Sequence, residues 1–536
     1  MKRRTLVFLS LLIFCIGFSI VRLFLLSTKD SLQTVALQNS SYNLKICSNR
    51  GNIYDCRKEP LLESKKTNIL VVVPDIKTPS LLSKFLSPNQ MNEVLPKLRK
   101  GKPFCVDIND NFVSCEGMST FKISKRLNEV NLAPHIIGYL DNTGNGVCGI
   151  EKSFNDYLNN TKGVLNIRYK VDALGRLLPN NNVLIEDNTK KQTGGVVLNI
   201  DKRLQEISQL VAEKYMKKGA IIITEVPNCE IRACVSMPKF STNNISECLN
   251  DESLPLLNRA FMAYNVGSVF KLVTAAKALE QKPDIDYYNC NGDIEIDKAH
   301  FHCYDNKAHG HINIIDALAF SCNTFFVNLS KTFDPQDFLN FIDKLGFGRS
   351  EKLAPDLMTS KGNIPKVSDL KQSRYMSNLS FGQGTLMVTP LQVSGLINTI
   401  ASDGIYSNPK LVKGLVNENM DFVKTFDEGI FEPVFSKGTA KILKEGMRQA
   451  IEKGTGQRVK PFKCNAALKT GTAQTGIRCV DKMILQGWCA GFFPFEKPKY
   501  SIVVFVEDAE GGSQSCGPIF KKIIDEIYND LYYEFK

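Results

Sequence analysis

The first long apolar run of the chain, Leu6 to Leu26, is broken only by Ser10, Ser19 and Arg22 and follows Lys2, Arg3 and Arg4. A run of that length spans a bilayer as a helix, with Arg22 snorkelling toward the headgroups. The basic flank predicts a cytoplasmic N-terminus and an extracytoplasmic remainder after about Ser27. A cleaved signal peptide is the alternative. No small-x-small cleavage site follows the run, so residues 1–27 read as a cytoplasmic stub and an uncleaved anchor. From Asn43 to Thr193 short apolar runs are mixed with Asn, Lys and Gly, and Lys190 to Gly195 reads as a boundary.

Beyond it the pattern sharpens. Val196 to Ile200 is a short strand-like run, and Asp201 is a suitable N-cap for a helix to about Lys218, with Leu204, Ile207, Val211 and Tyr215 on one face. Gly219 to Val226 reads as a buried strand by its β-branched content. Pro227-Asn228-Cys229 turns it back into Glu230 to Met237, a hairpin. Three more strands are expected at Ala466–Thr472, Met483–Phe492 and Tyr500–Glu507. A closing helix follows over Pro518–Tyr533, with Ile519, Ile523, Ile527 and Leu531 at helical spacing. Strands from both ends of a region thus flank a helix-rich middle, about Asn258 to Lys453, which predicts an α+β, layered architecture.

The 536 residues suffice for two or three domains, and 43% hydrophobic with 23% charged residues is ordinary globular composition. The net charge of +12 is spread out, with no Lys/Arg block beside aromatics, which argues against nucleic acid and suits attraction to an acidic cell envelope. Sixteen cysteines are unusual for an exported chain. Pairs such as Cys47 with Cys56 and Cys105 with Cys115 fit disulfides, while free thiols or a metal site remain open.

Three short segments carry the chemistry. Ser268-Val269-Phe270-Lys271 places a serine and a lysine at i and i+3, within reach on one helical face. The serine is a nucleophile once a base takes its proton, and the lysine is that base if burial lowers its pKa. Ser321-Cys322-Asn323 supplies a second hydroxyl to relay a proton to a leaving amine, and an amide for a substrate peptide group. Lys469-Thr470-Gly471-Thr472, at a strand end, offers a cation and hydroxyls to a carboxylate, with a glycine that lets a backbone come close. The Thr472 and Ser268 N–H groups suit an oxyanion hole. Each string alone is common. All three in one order, with Ser321 lying 53 residues after Ser268 and Lys469 another 148 on, point to one serine acyltransferase site.

On these residues the chain resembles a class B penicillin-binding protein, a monofunctional D,D-transpeptidase of peptidoglycan synthesis, over almost its whole length. Arg50 to Asp55 resembles the family's N-terminal motif, although Cys56 and Lys58 depart from it. His135 to Tyr139 and Gly149-Ile150-Glu151 resemble the pedestal segments, Asn258-Arg259-Ala260 stands ahead of the serine as in the family, and Trp488 to Pro494 looks like the strand after Lys-Thr-Gly. The resemblance implies the penicillin-binding serine transpeptidase fold, an antiparallel sheet flanked by helices with an all-helical subdomain. It implies a β-rich pedestal domain over 43–190 and a transpeptidase domain over 194–536. It also implies the mechanism: Ser268 attacks the D-Ala-D-Ala carbonyl with Lys271 as base, Ser321 delivers the proton, and Asn323 and the Lys469 strand hold the peptide and its carboxylate. β-Lactams mimic that dipeptide. By resemblance the partner is a SEDS-type membrane glycosyltransferase, and the role is elongation, division or sporulation. A membrane-anchored β-lactamase, a β-lactam sensor and a scaffold are the alternatives.

Four of the five histidines, His300, His302, His309 and His311, lie between Ser268 and Ser321, together with Cys290 and Cys303. Cys322 is the middle residue of the second motif. Cys290, Cys303, His309 and Cys322 make a Cys₃His set for one structural Zn²⁺. No organic cofactor is implied. The competing expectation is a Cys290–Cys303 disulfide.

Overall fold

The computed structural model describes residues 2–27, 41–108, 117–127, 129–161, 163–172, 177–178, 183–187, 193–282, 284–426, 429–479 and 482–530. The apolar N-terminal run is one helix, α1 (Lys2–Ser27), and it is long and apolar enough to cross a membrane.

The described chain forms two compact units. One comprises 1–50, 64–126 and 162–193. It holds two three-stranded antiparallel sheets, one of Ser41–Asn49, Gly163–Lys170 and Leu184–Asp187, the other of Phe104–Ile108, Ser64–Val72 and Met118–Arg126. Leu44, Ile46, Ile69, Val71, Ile123, Leu165 and Ile167 make a core at the alternating spacing of half-buried strands. Cys56 and Cys105 are free thiols, so the expected Cys47–Cys56 disulfide is not formed, and Cys115 lies outside the described residues.

The second unit comprises 51–63, 127–161 and 194–536. Of the expected boundary, residues 190–192 lie outside the described residues. In this unit Asp201 caps α2 (Lys202–Tyr215) by accepting from the Arg203 and Leu204 N–H groups. Leu204 and Val211 are buried, but Tyr215 is 47% exposed and the following Met216 takes the buried place expected of it. The helix stops at Tyr215 and Met216 is extended, so the last side chain swings off the helical face. The hairpin is β1 (Gly219–Glu225) and β2 (Glu230–Met237). The middle carries α3 (Lys271–Gln281), α4 (Ile314–Ala319), α5 (Asn323–Ser330), α6 (Pro390–Ala401) and α7 (Lys437–Glu452). It is helix-rich but also holds two-stranded sheets, among them Tyr288–Cys290 with Gly310–Ile312 and Asp293–Ile296 with Ala299–His302.

The chain then returns as β3 (Ala467–Cys479), β4 (Lys482–Phe493), β5 (Tyr500–Val506) and α8 (Gly517–Asp530). Leu531, expected on the last helix, lies outside the described residues. The five strands form one antiparallel sheet in the order β2-β1-β5-β4-β3. Its strands alternate between two cores. Ile221, Ile223, Ile502 and Val504 meet Leu204 of α2 and Ile519, Ile523 and Ile527 of α8. Ile222, Val503, Phe505 and Trp488 meet Leu272 of α3 and Ile397 of α6. Helices therefore cover both faces, giving three layers. β3 is an edge strand and runs on past Thr472, because its partner β4 is long enough to continue the ladder opposite Ala473 and Gln474. The Lys-Thr-Gly-Thr segment is thus mid-strand, on an edge whose other side faces the turn at Gly267.

Candidate active site

Ser268 is the second residue of a 3₁₀ turn, Gly267–Phe270, which leads directly into α3. The turn presses against β3. Gly267 has φ +59°, and a Cβ there would lie 2.5 Å from the Thr472 carbonyl oxygen. Only glycine combines that φ with that approach. Its N–H donates to the Gly382 carbonyl at 3.0 Å. From the other side, a Cβ on Gly471 would lie 2.9 Å from the Val266 carbonyl oxygen. Two glycines therefore let the turn carrying Ser268 and the Lys469 strand touch backbone to backbone. The residue three before the serine is held as well. The Asn265 N–H donates to Gln486 Oε1 at 2.9 Å and its carbonyl accepts from Trp488 Nε1 at 2.8 Å, both from β4.

Lys271 opens α3 and is fully buried. Its Nζ donates to the Ser321 carbonyl at 2.6 Å, to Ser321 Oγ at 3.0 Å and to Asn323 Oδ1 at 2.6 Å. The structure therefore brings Lys271 to the second motif. Among the described residues the Ser268 hydroxyl makes no hydrogen bond, to Lys271 or to anything else. Catalytic hydrogen bonds often tighten only when substrate arrives. Burial pushes the Lys271 ammonium down to about 7, and the Cys322 and Cys303 thiols oppose the shift.

Ser321 owes its position to the way α4 ends. The Cys322 N–H donates to the Ala317 carbonyl at 2.9 Å and the Ser321 N–H to the Leu318 carbonyl at 3.3 Å. This is a Schellman termination, whose left-handed position normally holds glycine. Here it holds Ser321, with φ +57°. A serine in that conformation costs about 1–2 kcal/mol and projects its hydroxyl where a helical residue could not. Ser321 Oγ accepts from Lys271 Nζ and from Lys469 Nζ, each at 3.0 Å. Two buried amines thus share one hydroxyl. Burial holds the Lys469 pKa well below the ordinary lysine range, and the charge of Lys271 pushes in the same direction. Among the described residues neither lysine has a carboxylate partner, so an incoming carboxylate would supply the missing counter-charge.

Asn323 is anchored at both ends of its amide. Oδ1 accepts from Lys271 and Nδ2 donates to the His302 carbonyl at 2.7 Å. On β3, Thr470 Oγ1 shares a hydrogen with Thr455 Oγ1 at 2.7 Å, and Lys469 Nζ also donates to the Thr470 carbonyl at 2.9 Å. Thr472 is exposed, and its Oγ1 accepts from the Gly512 N–H at 3.0 Å. That acceptance leaves the Thr472 hydroxyl hydrogen free to be donated to a ligand.

Behind the second motif, Cys290, Cys303, His309 and Cys322 bring their donor atoms within 4.8 Å of one another. The sulfur separations are 3.8 Å for Cys290–Cys303, 3.7 Å for Cys303–Cys322 and 3.5 Å for Cys290–Cys322, and His309 Nδ1 is 3.4 Å from the Cys290 sulfur. A hydrogen bond from Cys322 and contact with His309 hold the Cys303 thiol well below the ordinary thiol range, while Cys303 raises Cys322 and His309. His300 and His302 instead hydrogen-bond to Asp293, and His311 stacks on Tyr287.

The twelve residues singled out from sequence thus lie in one region. Thr455 was not among them. It hydrogen-bonds to Thr470, and its N–H donates to the Ala319 carbonyl at 3.1 Å, so it ties α4 to β3. The Gly454-Thr455-Gly456 string was the available signal, since a Cβ on Gly454 would lie 2.1 Å from the Ala319 carbonyl oxygen. The anchoring of Asn323 by a backbone carbonyl had no signal.

Residues 219–525 match the family model described as the penicillin binding protein transpeptidase domain. The chain is 28% identical over 416 residues to a peptidoglycan D,D-transpeptidase FtsI of Buchnera aphidicola subsp. Schizaphis graminum, covering 75% of this chain and 68% of that one. It is 25% identical over 545 residues to the stage V sporulation protein D of Bacillus subtilis (strain 168), covering 94% and 80%. Among solved structures it is similar to a chain from "Structural coordination of polymerization and crosslinking by a peptidoglycan synthase complex", with a TM-score of 0.70 at 21% identity and 97% of each chain covered.

Proposed function

The chain belongs to the penicillin-binding protein transpeptidase family, and from that premise we propose that it is a class B peptidoglycan D,D-transpeptidase. It crosslinks stem peptides through an acyl-enzyme on Ser268 and is acylated by β-lactams at the same atom. The observation that carries this reading is the shared hydroxyl of Ser321, set between the buried amines of Lys271 and Lys469.

Lys271, neutral once deprotonated, takes the Ser268 proton as the hydroxyl attacks the carbonyl between the two D-alanines. The proton passes through Ser321 to the departing amine of the terminal D-alanine. Lys469, Thr470 and Thr472 bind the donor's carboxylate, Gly471 admits its backbone, and Asn323 orients its peptide. The Ser268 and Thr472 N–H groups receive the developing oxyanion. An amine from a second stem peptide then attacks the ester carbonyl and frees Ser268. Rapid hydrolysis, as in a β-lactamase, needs a base for water. Among the described residues no Asp or Glu hydrogen-bonds to Ser268, Lys271, Ser321 or Lys469, which favours a long-lived drug adduct. Benzylpenicillin should therefore add its mass to the intact chain and leave over minutes or more. Fast multiple turnover would replace the transpeptidase reading with the lactamase one, and no adduct would remove both.

Because the base must be neutral, acylation should rise about tenfold per pH unit below about 7 and level off above it. A nitrocefin acylation profile that is flat from pH 5 to 9 would exclude Lys271 as the titrating base.

α1 is read as an anchor with its N-terminus in the cytoplasm, since Lys2, Arg3 and Arg4 stand at its start and Arg22 is the one charge within its apolar run from Leu6 to Leu26. Residues 43–190 are read as a pedestal domain and 194–536 as the transpeptidase domain. The partner is read, by the family resemblance, as a SEDS-type membrane glycosyltransferase, and the similarity to a chain of a peptidoglycan synthase complex supports partnership with a synthase.

Cys290, Cys303, His309 and Cys322 fit a structural zinc. A tetrahedron with Zn–S bonds of ~2.3 Å has sulfur–sulfur edges of about 3.8 Å, and the observed separations are 3.5 to 3.8 Å. A disulfide needs ~2.05 Å. Four protein donors leave no place for a reacting water, so the metal would hold α5 and the His302 carbonyl that Asn323 uses. Purified chain should carry about one zinc, and Cys290→Ala should abolish it. A metal-free wild-type chain with a mapped Cys290–Cys303 disulfide would rule this out.

A further inference from the structure

Thr324 follows Asn323 directly, is fully buried, and points into the cysteine cluster. Its Oγ1 lies 3.2 Å from the Cys290 sulfur, 3.4 Å from the Cys322 sulfur and 3.6 Å from the Cys303 sulfur. One neutral hydroxyl therefore touches all three corners of the sulfur triangle. Three thiolates, one neutral imidazole and one Zn²⁺ sum to a net charge of −1, carried on three buried sulfurs. A buried negative charge is costly unless hydrogen-bond donors face it. Some backbone donors are present: the Thr324 N–H acts on Cys303 and the Phe325 N–H on Cys322. The Thr324 hydroxyl adds one side-chain O–H that can turn to any of the three sulfurs and donate to one at a time. Zinc prefers sulfur and nitrogen, and four such donors are already in place, so this oxygen serves the ligands and does not bind the metal itself.

We propose that Thr324 is a positioning residue for the metal centre: its one hydroxyl hydrogen is donated to a ligand sulfur, Cys290 being the nearest at 3.2 Å, which tightens zinc binding and quiets the thiolates. The inference rests on the zinc reading above. It also links the metal centre to the substrate site through the peptide bond between Asn323 and Thr324, so an ordered sulfur cluster fixes the start of α5.

Valine matches threonine in shape and lacks the donor, and serine keeps the donor and loses the methyl. The zinc affinity of the full-length chain, Thr324→Val and Thr324→Ser is compared by competition with a chromogenic chelator. Iodoacetamide alkylation of the zinc-loaded proteins is followed in parallel, and circular dichroism checks that each is folded. Thr324→Val should bind zinc about 10–100-fold more weakly and be alkylated faster, the size of effect typical of groups that orient metal ligands. Thr324→Ser should stay near wild type on both counts. A folded Thr324→Val with wild-type affinity and alkylation rate would overturn the proposal, and so would equal losses in the valine and serine variants, which would indicate shape alone. Absence of zinc from the wild-type chain would instead overturn the zinc reading, and this inference with it.

Discussion

Ser268→Ala should take up no β-lactam at all. Intact-protein mass after benzylpenicillin should show one adduct on the native chain and none on the variant, and acylation should fall on the order of 10⁴- to 10⁶-fold, as when other serine acyltransferases lose their nucleophile. The variant should still fold. Ser268 makes no side-chain hydrogen bond among the described residues, so removing its oxygen breaks nothing, and stability should stay within about 0.5 kcal/mol by thermal melting. The glycine contacts that set the turn against β3 are backbone contacts and survive the change. An adduct that persists on a folded Ser268→Ala chain would move the nucleophile elsewhere. Ser321, whose hydroxyl is already placed between two amines, would be the next residue to examine.

Lys271→Met should be nearly as severe. Methionine has about the length of the lysine stem and suits a fully buried position, yet it neither accepts a proton nor bonds Ser321 and Asn323. Losing a general base costs about 10²- to 10⁴-fold in rate, and here Ser321 loses one of its two amines as well. Lys271→Arg should fail too, because a guanidinium keeps its proton throughout the working range and its fork does not fit the pattern at one Nζ. Nitrocefin acylation rates for both variants test this, with zinc content measured alongside to show that the neighbouring cluster is intact. A Lys271→Arg enzyme near wild-type rate would mean that Lys271 supplies charge and not basicity.

Much of this site was legible before folding because its chemistry is spelled in short strings. Ser268 with Lys271 depends on one helical turn, and Ser321 with Asn323 on one helix junction. Local geometry is enough to relate the residues inside each string. The hairpin β1–β2 and the strands β3 to β5 were legible too, since β-branched runs bounded by turns are a local signal. The length of β3 was not, because the ladder beyond Thr472 depends on how far β4 extends opposite it. The exposure of Tyr215 was not legible, because a helical face says nothing about where the helix stops. Thr455 went unnoticed because its role exists only when α4 and β3 meet.

Residue type and order therefore settle which reaction class the chain can support, since a nucleophile, a base and a carboxylate-binding strand are chemical identities that folding does not alter. Folding settles whom each group addresses. Lys271 was expected at Ser268, one turn away, but its Nζ bonds Ser321 and Asn323, 50 and 52 residues along the chain. Lys469 joins the same hydroxyl across 148 residues. Such partnerships arise from burial and from backbones packed at glycines, and burial is also what brings Lys271 near neutrality. The cluster of Cys290, Cys303, His309 and Cys322 follows the same division. Sulfur and imidazole in one stretch raise the possibility of a metal, and the separation of the sulfurs, too wide for a disulfide and right for a tetrahedron, is a property of the packed hairpins and α5.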